Sequence, residues 1–238
     1  MRIDGLLGEG MAQVASGMGF GNRRKPGYRK RRPAPLLIFI GVMGLVALVV
    51  WVRAVTSRTD IDALLHCEPA PAPVGGVTYT ALGHGSLDDT TPLPPDKVAV
   101  RVLNASQARG QGAITTESLR ELGFTQIAPP DVDPAYPNQE LKCHGQLRFG
   151  DNGRSAARTL SLVLPCVELI RDTRADASVD VSIGSNFGDV RPTAQARQVL
   201  QQLRAWSADH PDGGNEQSAA TGPVLDHDLL ASARDVTC

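Results

Sequence analysis

Four cysteines, Cys67, Cys143, Cys166 and Cys238, are the residues whose chemistry is most informative in this 238-residue chain. All four follow a long apolar stretch at 36–52, and an even number outside the cytosol favours disulfides over free thiols. Four cysteines allow three pairings. A zinc site assembled from Cys143-His144 with His66-Cys67 matches no standard ligand spacing, so no metal ligand is assigned. No other cofactor is expected. There is no Gly-x-Ser-x-Gly elbow, no His-Glu-x-x-His, no phosphate-binding Walker loop and no Cys-x-x-Cys. Gly110-Gln111-Gly112 lacks the third glycine of a dinucleotide site and reads as a turn into a helix. His84 sits in a Gly-rich stretch and reads as spacer. Glu117, Glu121, Glu168 and Asp180 show no spacing that marks a general acid and base. Aromatic residues make up 4% of the chain, which leaves little for stacking on sugars. No catalytic residue is therefore assigned, and the chain is not expected to be an enzyme.

The elements that carry these residues begin with LLIFIGVMGLVALVVWV at 36–52, which holds no charge. At 1.5 Å per residue this run covers roughly 26 Å, close to the hydrocarbon thickness of a bilayer. Before it stands RRKPGYRKRR; after it only Arg53 and Arg58 lie nearby. The positive-inside rule then predicts a cytoplasmic N-terminus and an extracytoplasmic remainder, held by an uncleaved signal anchor at 34–55. Residues 1–33 carry eight basic residues against Asp4 and Glu9, a net of +6; the rest carries sixteen basic against twenty-three acidic, a net of −7. The basic tail, Gly-rich and without apolar periodicity, is expected to be disordered and suited to anionic lipid headgroups. The acidic remainder argues against nucleic acid as a partner.

Residues 56–95 are rich in Pro and Gly and read as a linker. From Asp96 the patterning changes to that of a folded domain, expected over 96–206. Residues 97–103 have strand composition, and 110–122 read as a helix with Ile114, Leu119 and Leu122 inward and Gly123 just past its end. A short strand follows at 124–127, then a Pro-rich loop at 129–137. Leu141, Cys143, Gly145, Leu147 and Phe149 alternate on one face of a third strand. Ala156, Ala157, Leu160, Val163 and Leu164 mark a second helix ended by Pro165. Strands at 167–170 and 179–183 follow. Thr193 caps a last long helix with Ala196, Val199, Leu200, Leu203 and Trp206 inward. A polar tail at 207–238 ends in a short helix near 228–234. The order predicts an α/β (α+β) sandwich: a small mixed sheet with helices packed on one face. In a β-α-β unit the returning helix brings Cys166 back to the level of Cys143. The expected bridges are therefore Cys143–Cys166 and Cys67–Cys238, the second worth about 3 to 5 kcal/mol by loop entropy.

Three segments carry a resemblance. Val-Leu-Asn-Ala-Ser at 102–106, the glycine-led helix ending Leu-Gly-Phe at 122–124, and Ile-Gly-Ser-Asn-Phe at 183–187 together resemble the LytR C-terminal domain of bacterial cell-envelope proteins. The likeness covers roughly 96–190. With the basic tail, single apolar helix and external cysteines, the whole chain resembles membrane-anchored envelope-integrity proteins of actinobacteria. The resemblance implies a noncatalytic scaffold or binding module for an envelope protein or cell-wall polymer. An accessory or catalytic factor in glycopolymer attachment is the alternative. The phosphotransferase domain that often precedes this module has no counterpart here.

Overall fold

The computed structural model describes residues 34–56, 64–71, 76–138, 140–211, 222–236 and 238. The expected disordered tail at 1–33 lies outside them, as do 57–63, which begin the expected linker. The chain divides into two units, Met1–Val55 and Thr56–Cys238. Helix α1 spans Ala34–Thr56, and its side chains, described over 38–52, are all exposed. Among the described residues no helix is long and apolar enough to cross a membrane.

The second unit is built on a six-stranded mixed sheet. Its elements are β1 (Thr80–Leu82), β2 (Ala99–Asn104), α2 (Gln111–Glu121), β3 (Gln126–Val132), β4 (Gly145–Phe149), α3 (Arg154–Val163), β5 (Glu168–Arg171), β6 (Val179–Ile183), α4 (Ala194–Asp209) and α5 (His227–Ser232). The spatial order is β1-β5-β4-β6-β2-β3. Two parallel units, β2-α2-β3 and β4-α3-β5, flank β6, which pairs parallel to β2 and antiparallel to β4. Val100 and Val102, Leu147 and Phe149, Leu169, and Val179, Val181 and Ile183 alternate onto one face. There they meet Leu119 of α2, Leu160 of α3, and Val199, Leu200 and Leu203 of α4 in one buried core.

Thr193 caps α4 as expected: its hydroxyl accepts from the Ala196 N–H at 3.0 Å and donates to the Ala233 carbonyl at 3.0 Å. One side chain thus starts a helix and holds the segment that follows α5. Thr193→Ala is expected to cost about 1 kcal/mol. That corresponds to a Tm drop of roughly 2–4 °C for a unit of this size, measurable by calorimetry.

Several elements differ from the sequence-based expectation. The stretch read as linker supplies β1, which pairs antiparallel with β5, and buries Leu87 and Leu93 in the core. Ile114 is 58% exposed; Gly112, Thr115, Thr116 and Leu119 are the buried positions of α2. The expected Pro-rich loop begins inside β3. Arg101 pairs with Ala128 and Leu103 with Asp131, so Pro129 and Pro130 together oppose Val102 in a bulge on an edge strand. The face expected for 141–149 breaks at Gly145. Its φ of +152° favours glycine, and a Cβ there would lie 2.4 Å from the Ser182 carbonyl oxygen. Leu147 and Phe149 enter the main core, while Leu141 and Cys143 join a second cluster with Cys67, Ala105, Ala135 and Tyr136.

That break also redirects the cysteines. The bridges are Cys67–Cys143 and Cys166–Cys238, with Cα–Cα distances of 5.3 and 5.5 Å. The expected Cys143–Cys166 and Cys67–Cys238 pairs are not formed. The chain at 141–143 leaves β5 and follows the end of β6, where Ser185 donates to the Leu141 carbonyl and Asn186 to the Cys143 carbonyl. Cys143 is carried to Cys67, and Cys166 is left for Cys238.

Candidate functional site

The sheet face opposite the helices is polar, and alternation makes it so. Gln146 and Arg148 of β4, Asp180 and Ser182 of β6, Glu168 of β5 and Arg101 of β2 point away from the helical layer. All but Arg101 are buried, because segments 64–71, 76–82 and 133–136 cover this face. Burying so many polar groups requires that each find a partner, and they do.

Arg148 is 2% exposed and Asp133 0%. The guanidinium donates to both carboxylate oxygens at 3.1 and 2.8 Å and to the Gln146 Oε1 at 3.0 and 2.9 Å. Its carbon lies 5.1 Å from the Tyr79 ring centroid and 5.5 Å from that of Tyr136. Ser182 donates to Asp133 as well. Burial pushes the Tyr136 phenol up to about 12, against the pull of Arg148. Its hydroxyl donates to the Glu68 carbonyl at 2.7 Å. Gln146 extends the chain of bonds to Glu168 at 3.0 Å, and Glu168 meets His66 at 2.9 Å.

Beside this network lies a more open one. Arg101 grips Asp180 with two bonds of 2.9 and 2.8 Å, and Arg174 bonds both Asp180 and Asp172. Burial pushes the Asp180 carboxyl up, but bonds from Arg101 and Arg174 outweigh it and hold it below the ordinary carboxylate range. A groove of about 500 Å³ runs over these residues, with Tyr79 and Arg148 in its lining. A carboxyl depressed in the folded state stabilises above its unfolded pKa and loses that contribution as pH falls through the folded value. Asp180→Asn is therefore expected to flatten the acid limb of the stability profile below about pH 4. Urea unfolding across pH 2–6 measures this.

Of the residues singled out in the sequence, Asp180 lines the groove and the others lie elsewhere. Glu168 and Asp180 belong to these networks, gripped by donors. Glu117 bonds Arg120 on the surface of α2. His84 Nε2 contacts the Pro165 carbonyl at 3.0 Å. Gly110, with φ of +80°, precedes α2, and a Cβ on Gly112 would come within 3.2 Å of the Pro130 Cβ. Cys67 and Cys143 close a bridge beside Glu168, where the Cys67 N–H donates to the carboxylate. Arg148, Asp133, Gln146 and Arg174 were not anticipated. Their signal was the polar half of each alternating strand, together with an aspartate and tyrosine in the Pro-rich segment.

A mixed sheet with helices on one face and a buried ionic network on the other defines a small α/β module. The sequence matches the family described as LytR cell envelope-related transcriptional attenuator over residues 97–187. It is 35% identical over 205 residues to the cell envelope integrity protein Cei of Mycobacterium tuberculosis, covering 85% of this chain and 94% of that protein. The chain belongs to the LytR C-terminal-domain family, alongside that envelope protein. The soluble domain of a conserved hypothetical secreted protein from Mycobacterium marinum shares the fold, at a TM-score of 0.56 and 35% identity. That likeness covers 67% of this chain and 97% of the other. An extracytoplasmic location for the folded unit fits it.

Proposed function

We propose that this protein is a membrane-anchored, noncatalytic binding module of the cell envelope, which holds an envelope protein or cell-wall polymer in the groove over its sheet. The state of the groove's carboxylates carries the reading. Both oxygens of Asp180 accept from guanidinium groups, so the group stays ionised and is a poor proton carrier. Paired, preorganised charges of this kind suit recognition. Three arginines face four aspartates along the groove, a near balance that suits a polar ligand of low net charge. Membership of a family that includes an envelope integrity protein supports the location.

The anchor is inferred from the whole uncharged run at 36–52 of the sequence, of which the side chains of 38–52 alone are described in helix α1. The 23 residues of α1 extend about 34 Å. Ile38, Phe39, Leu45, Leu48 and Trp51 stand between 59% and 66% exposed, a surface that water disfavours and lipid accepts. The basic residues preceding it support a cytoplasmic N-terminus. Alkaline carbonate washing should leave the chain in the membrane fraction, and protease added to spheroplasts should digest 64–238. Recovery in the soluble fraction overturns the anchor.

A photo-crosslinking residue at Ala128, on the groove rim, is expected to capture a discrete envelope component in cells. The same residue at Gln198, on the exposed side of α4, should not. Equal yields from both positions, or none from Ala128, would sink the binding role.

A further inference from the structure

Glu168 lies nearly buried, its side chain 7% exposed, at the meeting of two cavities. These measure about 230 and 360 Å³, and both are lined by His66, Ala81 and Glu168. The smaller adds Leu82 and Leu169; the larger adds Val77, Tyr79 and Ile170. The two carboxylate oxygens are held differently. Oε2 accepts from the Cys67 N–H at 3.3 Å and Gln146 Nε2 at 3.0 Å, both fixed by the fold. Oε1 is met by His66 Nδ1 at 2.9 Å, from a side chain that is 62% exposed.

A buried carboxylate among apolar walls gains most from a full positive charge at short range. An exposed imidazole is a weak and easily displaced partner, since water competes for it and its ordering costs entropy. Removing the ring from Oε1 opens the carboxylate to the two cavities it lines, whose walls are mostly apolar, with Thr78, His84 and Gln146 as polar members. Such walls fit an alkyl chain ending in a cation. With a single oxygen open, a compact ammonium fits better than the two-pronged guanidinium.

We propose that Glu168 Oε1 is a binding site for the alkylammonium group of an amine-bearing ligand, with His66 as its displaceable cap. The proposal rests on the reading of this unit as a binding module and names one chemical group that it recognises. The ammonium can come from a lysine-type side chain of a peptide or from a free diamine.

Calorimetry and amide-shift mapping on the full chain in detergent micelles test this, with Ala-Lys-Ala, its Nε-acetylated form, Ala-Arg-Ala and 1,5-diaminopentane as probes. Ala-Lys-Ala is expected to saturate the site and shift the amides around 66–67 and 168. Acetylation should weaken binding at least tenfold, and Ala-Arg-Ala should bind more weakly than Ala-Lys-Ala. Saturation by the diamine as well assigns recognition to the ammonium alone; saturation by the peptide alone assigns a peptide source. Glu168→Gln should abolish binding. His66→Ala should tighten it several-fold, an effect opposite in sign to that of structural damage. Weaker binding by His66→Ala, equal binding of the acetylated peptide, or no saturation by either amine overturns the site. Capture from Ala128 in cells is read separately, so loss of this site and loss of the groove's role are told apart.

Discussion

Arg148→Ala is expected to destabilise the folded unit by about 3–5 kcal/mol, the usual cost of stranding one member of a buried ion pair. The partner left behind, Asp133, is fully inaccessible and would keep only donors too weak to replace a guanidinium. The loss also removes the cation that lies over Tyr79 and Tyr136. Denaturant unfolding followed by tryptophan emission gives the number, and the control is as important. Arg148→Met combined with Asp133→Leu removes both charges together and should recover much of the loss, because the desolvation of each disappears with it. A double variant as unstable as the single one would show that the arginine acts through packing rather than charge.

Replacing Cys67 and Cys143 together by serine is expected to cost about 4 kcal/mol. The bridge joins residues 76 apart, and its removal frees a loop of that length in the unfolded chain. The Cys166–Cys238 bridge spans 72 residues and should cost a similar amount by the same reasoning. The two losses differ in where they are felt. Cys67 also gives its N–H to Glu168, so only the first loosens the 64–71 segment beside the groove. Hydrogen exchange at those amides separates the cases. Mass spectrometry of unreduced digests tests the pairing: a peptide linking Cys143 to Cys166 would contradict the structure.

Much of the fold was legible because it rests on local periodicity. The alternation at 179–183, the apolar spacing of α3 and α4, the Thr193 cap and the glycine after α2 each follow from a few adjacent residues. The misses depend on distant ones. A strand as short as β1 exists only because β5 offers it an edge. The exchange of cysteine partners follows from one glycine, whose conformation turns Leu141 and Cys143 out of the face shared by Leu147 and Phe149. Ile114 lies exposed because threonines, apolar enough in their methyl groups, take the inward positions. The site was least legible. Gln146, Arg148, Asp180 and Ser182 alternate with core residues, and solvent is the ordinary destination of such side chains. Their burial depends on segments 64–71, 76–82 and 133–136, whose sequence shows no periodicity of its own.

The bulge at Pro129–Pro130 has a consequence for life in a crowded compartment. Neither residue has an N–H, so the outermost strand is short of donors where another polypeptide would need to zip onto it. At the far side of the sheet, β1 offers three residues, too few to template a neighbour. Copies crowded together can therefore collide without polymerising through their backbones, and each folded unit stays separate.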